Sequence, residues 1–116
     1  MSYSQGDIVI VRFPYTNLRG SKARPAIVVS NSNVNVSSDY IVVMLTTQQI
    51  SGQFAETISN DDITIDFNPP HSRMNVYCKK VAVLDDSVIH RRISQVSNQE
   101  KLQEILNKIK SAFDIV

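Results

Sequence analysis

Arg24 stands directly before Pro25, at the end of a basic stretch that also holds Arg19 and Lys22 and at the mouth of an apolar run, "PAIVVSN". Proline disfavours helical backbone in the residue before it, so Arg24 is expected to be extended. A guanidinium held that way by a following strand can grip a phosphate through two parallel hydrogen bonds. A second polar group closes another apolar run: Thr46, Thr47 and Gln48 follow "YIVVML". Two hydroxyls and an amide at a strand end can hydrogen-bond a phosphate or a ribose 2′-OH. Threonine also suits a strand for its shape alone.

Other residues offer weaker chemistry. His71 and His90 could form an acid–base pair for RNA cleavage only with a partner in hydrogen-bond reach. His71 lies in a proline loop and His90 in a polar turn, where a solvent-facing histidine is the simpler expectation. Cys78, inside an apolar run, reads as a small buried hydrophobe. Lys79 and Lys80 are consecutive on an expected strand and so should point to opposite faces. Lys80, Arg91 and Arg92 read as solvated surface, the ordinary fate of such residues. There is no CxxC, HExxH or clustered His–Asp pattern, so no metal site is expected, and no other cofactor is implied. The three glycines, at positions 6, 20 and 52, are too scattered to form a phosphate-cradling loop.

These residues need a frame. With 116 residues, 42% hydrophobic and 20% charged, the chain fits one ordinary globular domain spanning 1–116. A net charge of +1 gives no global field for polyanions, so any such site must be a local patch. The single cysteine excludes an internal disulfide and fits a reducing cytosol. Neither a signal peptide nor an apolar run of membrane-spanning length is present, so a cytoplasmic protein is expected.

Short β-branched runs bounded by Gly, Pro, Asn or Ser predict strands at Asp7–Phe13, Pro25–Asn31, Tyr40–Thr47 and Met74–Leu84. "AETISNDDITIDF" predicts a hairpin turning at Ser59–Asp62. "NPPHSR" predicts a rigid loop, and "DDSVIHR" a short helical turn capped by Asp85 or Asp86. Leu102, Ile105, Leu106, Ile109 and Phe113 recur at helical spacing, and Ser97 with Glu100 matches a capping box. The sum is a mainly β protein: a small barrel with a C-terminal helix packed on it. The connection from Pro14 to Arg24 would form a flap over one face.

Three motifs in fixed order, "GDIVIVRFPYT" from Gly6, "GSKARPAIVVSN" from Gly20 and "VMLTTQ" from Val43, resemble the PemK/MazF family of bacterial toxin–antitoxin toxins. The resemblance runs over nearly the whole chain. It implies an SH3-like β-barrel with a C-terminal helix, a homodimer, and sequence-specific, metal-independent cleavage of single-stranded RNA by 2′-OH attack, which leaves a 2′,3′-cyclic phosphate and a 5′-OH. It implies as partner a cognate antitoxin that fills the RNA groove, with operator DNA bound only through the toxin–antitoxin complex. Arg24 matches the family's arginine of the Arg-Pro pair. It would stabilise charge on the phosphorane, with proton donation to the leaving oxygen as a second role. Thr46 matches the second catalytic position. Thr47 and Gln48 would be binding neighbours, and Arg19, Ser21 and Lys22 would belong to a flap closing on RNA.

One departure concerns the base. Some members carry an Arg and an Asp where this chain has Tyr77 and Lys79, so no acidic general base is evident. Tyr77 could stack on a base or sit in the core, and Lys79 would meet the RNA backbone. The competing expectation is a non-catalytic toxin or degenerate homologue on the same fold, acting by binding. The related CcdB proteins poison gyrase through a Trp-containing tail, and this chain has no tryptophan.

Overall fold

The computed structural model describes residues 2–12 and 23–116. Six strands form one antiparallel sheet: β1 (Asp7–Arg12), β2 (Ala23–Val28), β3 (Asp39–Thr46), β4 (Ala55–Ser59), β5 (Arg73–Asp85) and β6 (Ile89–Gln95), in the spatial order β4-β5-β3-β2-β1-β6. A single helical turn, α1 (Ser32–Asn35), follows β2, and a longer helix, α2 (Gln99–Ser111), follows β6. The first turn is left-handed at Gly6 (φ +96°), where a side chain would be strained, and it feeds β1 directly.

Strand pairing places alternate side chains in two buried clusters. Ile8, Ile27, Val43 and Leu45 share one face with Val76 and Cys78, and α2 covers this face with Leu102, Ile105 and Ile109. Val9, Val11, Ala26, Val28 and Val42 lie on the opposite face with Tyr3, Tyr40 and Leu84. Glu56 on β4 ties down α2. Its carboxylate takes ion pairs at 3.1 Å from both Lys101 and Lys108, and Lys108 Nζ also donates to the Ala55 carbonyl at 2.7 Å.

Several expectations are corrected. The sheet is not closed into a barrel. Beyond β4 the chain turns through a 3₁₀ turn, Asn60–Asp62, and residues 63–65 hang on β6 through a single bridge, Ile63 to Val96, and hydrogen bonds to Gln95 and Ser94. The hairpin expected over 55–67 is therefore absent, although its turn is present, with Ser59 and Asp62 forming a capping box. β4 pairs instead with β5, Thr57 opposite Asn75. The residues after Asp85 make only a 3₁₀ turn, capped by the Asp85 carboxylate, before β6 begins at Ile89. The cap of α2 is Asn98, whose side chain accepts from the Glu100 and Lys101 amides. Ser97 is spent elsewhere, its N–H and hydroxyl both donating to the Asp62 carbonyl. Phe113 lies beyond the end of α2 and is exposed. The expected flap, with Arg19, Ser21 and Lys22, lies outside the described residues. Ala23 and Arg24 do not belong to it, because β2 begins at Ala23.

Candidate functional site

The site lies on the sheet face opposite α2. β2 pairs with β3 only from Ala26–Met44 onward. Pro25, one residue earlier, has no N–H to contribute to a ladder. Where the pairing stops the two strands part, and a cavity of about 290 Å³ opens. Its lining is Arg24, Met44, Leu45, Thr46, Gln48, Ile50, Tyr77 and Lys80. The β2–β3 register carried two residues further sets Arg24 opposite Thr46, so both polar groups expected to act together meet in one place.

Arg24 is held on its other side by β1, where Val11 is its partner. Its Nε is buried with no hydrogen-bond partner among the described residues. A buried donor left open in this way carries a desolvation cost that an incoming acceptor would relieve. Thr46 ends β3 opposite Asn75 of β5. Its Oγ accepts from the Gln48 N–H at 3.1 Å, which leaves the hydroxyl hydrogen to be given to another group. The turn is pinned from β5: Asn75 Nδ2 donates to the Gln48 carbonyl at 2.7 Å, and its Oδ1 accepts from Thr57 Oγ at 2.9 Å. This Thr57–Asn75–Gln48–Thr46 chain fixes where the threonine hydroxyl sits. Sequence reasoning missed Asn75 and Thr57; the available signal was an asparagine within an apolar strand.

β5 contributes an irregularity. Val43 pairs with Val81, but Met44 pairs with Tyr77, so Cys78, Lys79 and Lys80 bulge out with no counterpart on β3. Within this bulge the regular strand alternation on which Lys79 and Lys80 were expected to face opposite ways is interrupted. Both ammonium groups lie over the Tyr77 ring, Lys80 Nζ at 5.0 Å and Lys79 Nζ at 5.7 Å from its centroid. Lys80 is exposed, as expected of a surface lysine, and also lines the cavity; Lys79 and Thr47 are exposed beside it and do not line it. Tyr77 is half-buried, and its ring borders the cavity. Cys78 points to the core, where burial pushes its thiol up to about 11, as befits an inert packing residue.

No carboxylate lines the cavity among the described residues, so its charge is that of two cations. The histidines are elsewhere: His90 on β6 accepts a hydrogen bond from Arg12, and His71 sits beside Pro69 and Pro70. Among the described residues no group of three or more His, Cys, Asp or Glu side chains is placed to share a metal ion. No helix among them is long and apolar enough to cross a membrane. The arrangement offers what an anion would need: a fixed hydroxyl donor, a guanidinium and an ammonium group on one cavity's lining.

Residues 4–113 match the family model described as the PemK-like, MazF-like toxin of type II toxin–antitoxin systems. No curated protein sequence matches the chain. The fold is similar to MazF from Deinococcus radiodurans, with a TM-score of 0.74, 19% identity, and 99% of each chain covered. It is also similar to the Mycobacterium tuberculosis toxin MazF-mt6, with a TM-score of 0.71 and 16% identity over 95% of this chain and 98% of that one. An endoribonuclease from a mycobacterial species, solved in complex with its cognate antitoxin, superposes with a TM-score of 0.68 and 16% identity over 99% of this chain and 100% of that one.

Proposed function

The chain belongs to the PemK-like, MazF-like toxin family of type II toxin–antitoxin systems, and from that premise we propose that it cleaves single-stranded RNA in the cavity between β2, β3 and β5. The observation that carries the reading is the meeting of Arg24, with its open buried Nε, and the pinned Thr46 hydroxyl in one anion-binding cavity. The 2′-oxygen attacks the adjacent phosphorus as its proton passes to solvent, the bond to the 5′-oxygen breaks, that oxygen takes up a proton from solvent, and the products are a 2′,3′-cyclic phosphate and a 5′-OH. Charge grows on the non-bridging oxygens as this happens. Arg24 meets that charge with a fixed cation, and Thr46 donates its hydroxyl proton to the same phosphate. With both donors positioned beforehand, no reorganisation is needed at the moment of reaction. The mechanism leans on charge stabilisation, with no lining carboxylate among the described residues to serve as base.

The proposed setting is that of a toxin working in the bacterial cytoplasm as a homodimer and restrained by a cognate antitoxin that covers the same cavity. Operator DNA is reached only through that complex. A long RNA incubated with the protein in excess chelator tests the reading. The wild type is expected to cut it at discrete positions, whereas Arg24→Ala, with an unchanged circular dichroism spectrum, is expected to leave it whole. Full cleavage by the variant would remove Arg24 from the mechanism, and an intact RNA with the wild type would favour a toxin that acts by binding alone.

A further inference from the structure

Beyond the arginine and threonine, the structure points to a third residue that meets the substrate: we propose that Lys80, delivered by the bulge in β5, is the second phosphate-binding cation of the cavity, steadied over Tyr77. The inference rests on the reading of this cavity as a site for single-stranded nucleic acid.

A regular strand would not bring this ammonium here. The bulge is fixed at both ends: the Cys78 N–H donates to the Phe54 carbonyl at 2.9 Å, and Val81 resumes pairing with Val43. Within it the regular pairing with β3 is lost, and the exposed Lys80 contributes to the lining that also holds Arg24 and Thr46. Its Nζ rests 5.0 Å from the Tyr77 centroid, over the ring. An ammonium on an aromatic face is held by the ring's quadrupole, which narrows the reach of a flexible side chain. Lys80 forms no ion pair with a carboxylate among the described residues, whereas Lys101 and Lys108 on α2 are both committed to Glu56. Lys80 is exposed at the rim of a cavity that already holds a second cation, and an anion bound between them would offset their like-charge repulsion. Tyr77 thereby acquires a role as a platform for the ammonium.

Binding of a short single-stranded DNA, which lacks the 2′-OH and is not cut, tests this by fluorescence anisotropy over a series of salt concentrations. Lys80→Ala is expected to bind about tenfold more weakly and to lower the slope of log K against log salt by about 0.7, the signature of one lost phosphate contact on a single strand. Lys80→Arg is expected to recover the slope, and Lys110→Ala, on the far helix, to leave it unchanged. Wild-type affinity and slope in Lys80→Ala would overturn the inference, as would a wild type that binds no oligonucleotide. If Lys80→Ala changes the slope but no RNA is cleaved by the wild type, the nuclease reading falls and the Lys80 contact stands. If RNA is cleaved and the slope is unmoved, the reverse holds.

Discussion

The two faces of the sheet solve opposite problems. Beneath α2, each charge near the core has a partner: Glu56 holds Lys101 and Lys108, and Asp62 accepts from Asn98 and from the Ser59 amide. On the other face, in the cavity, Arg24 Nε is buried with no partner among the described residues, and Lys80 has an aromatic ring in place of a carboxylate there. Burying a polar group without a partner costs about 1–3 kcal/mol, so the first face satisfies its charges internally while the cavity on the second leaves a donor open to an incoming acceptor. Two local departures from ideal structure border this cavity. The ladder stops short at Pro25, and β5 bulges at Cys78–Lys80.

The contrast can be broken on either side. Ile105→Ala empties a fully buried position under α2 and is expected to cost about 2–5 kcal/mol in urea unfolding, with RNA cleavage per folded molecule unchanged. Loss of cleavage at full folding would mean that the two faces are not separable. Thr46→Val keeps the shape and removes the hydroxyl. Cleavage is expected to fall about 10–100-fold, the scale of one hydrogen bond to a charged group, with stability nearly unchanged. Asn75→Ala should lower cleavage about tenfold by freeing the Gln48 turn. Combined with Thr46→Val it should add little, since both act on one hydrogen-bonded chain. An additive double variant would show that Asn75 acts independently of Thr46.

The smallest effect concerns acid. Burial pushes the Glu56 carboxyl up, but hydrogen bonds from Lys108 and Lys101 outweigh it and hold the group below the ordinary carboxylate value. Asp62 behaves likewise: burial is outweighed by hydrogen bonds from Ser59 and Asn98. A carboxylate held low in the native state stabilises fully above its unfolded value, and that stabilisation disappears as the pH falls through the native one. Glu56→Gln should therefore cost on the order of 1 kcal/mol at neutral pH, between exposed and buried ion pairs, and should flatten the loss of stability at acid pH. An acid limb as steep as that of the wild type would assign the pH dependence to other groups.

Much of this was legible in the sequence because it was local. The β-branched runs mark β1, β2, β3 and β5 to within three residues at each described end, and Leu102, Ile105 and Ile109 mark the buried stripe of α2. The extended backbone at Arg24 and the strand-end position of Thr46 were legible too, through Pro25 and the end of an apolar run. What could not be read depends on partners far along the chain. β6, "IHRRISQ", carries charges at an edge, and two register shifts against β1 blur its alternation. Ser97 and Asn98 are both good caps, and only the distant Asp62 carbonyl decides between them. Lys80 was invisible for the same reason, since a bulge is a property of two strands and β5 alone does not reveal it.

Mapping the ends left on a long RNA by the wild-type protein in chelator asks whether the cavity of Arg24 and Thr46 cleaves RNA by transfer to the 2′-oxygen. The proposed mechanism leaves 2′,3′-cyclic phosphate and 5′-OH termini at discrete sites. Termini bearing 5′-phosphate and 3′-OH, or an RNA left uncut, would contradict it.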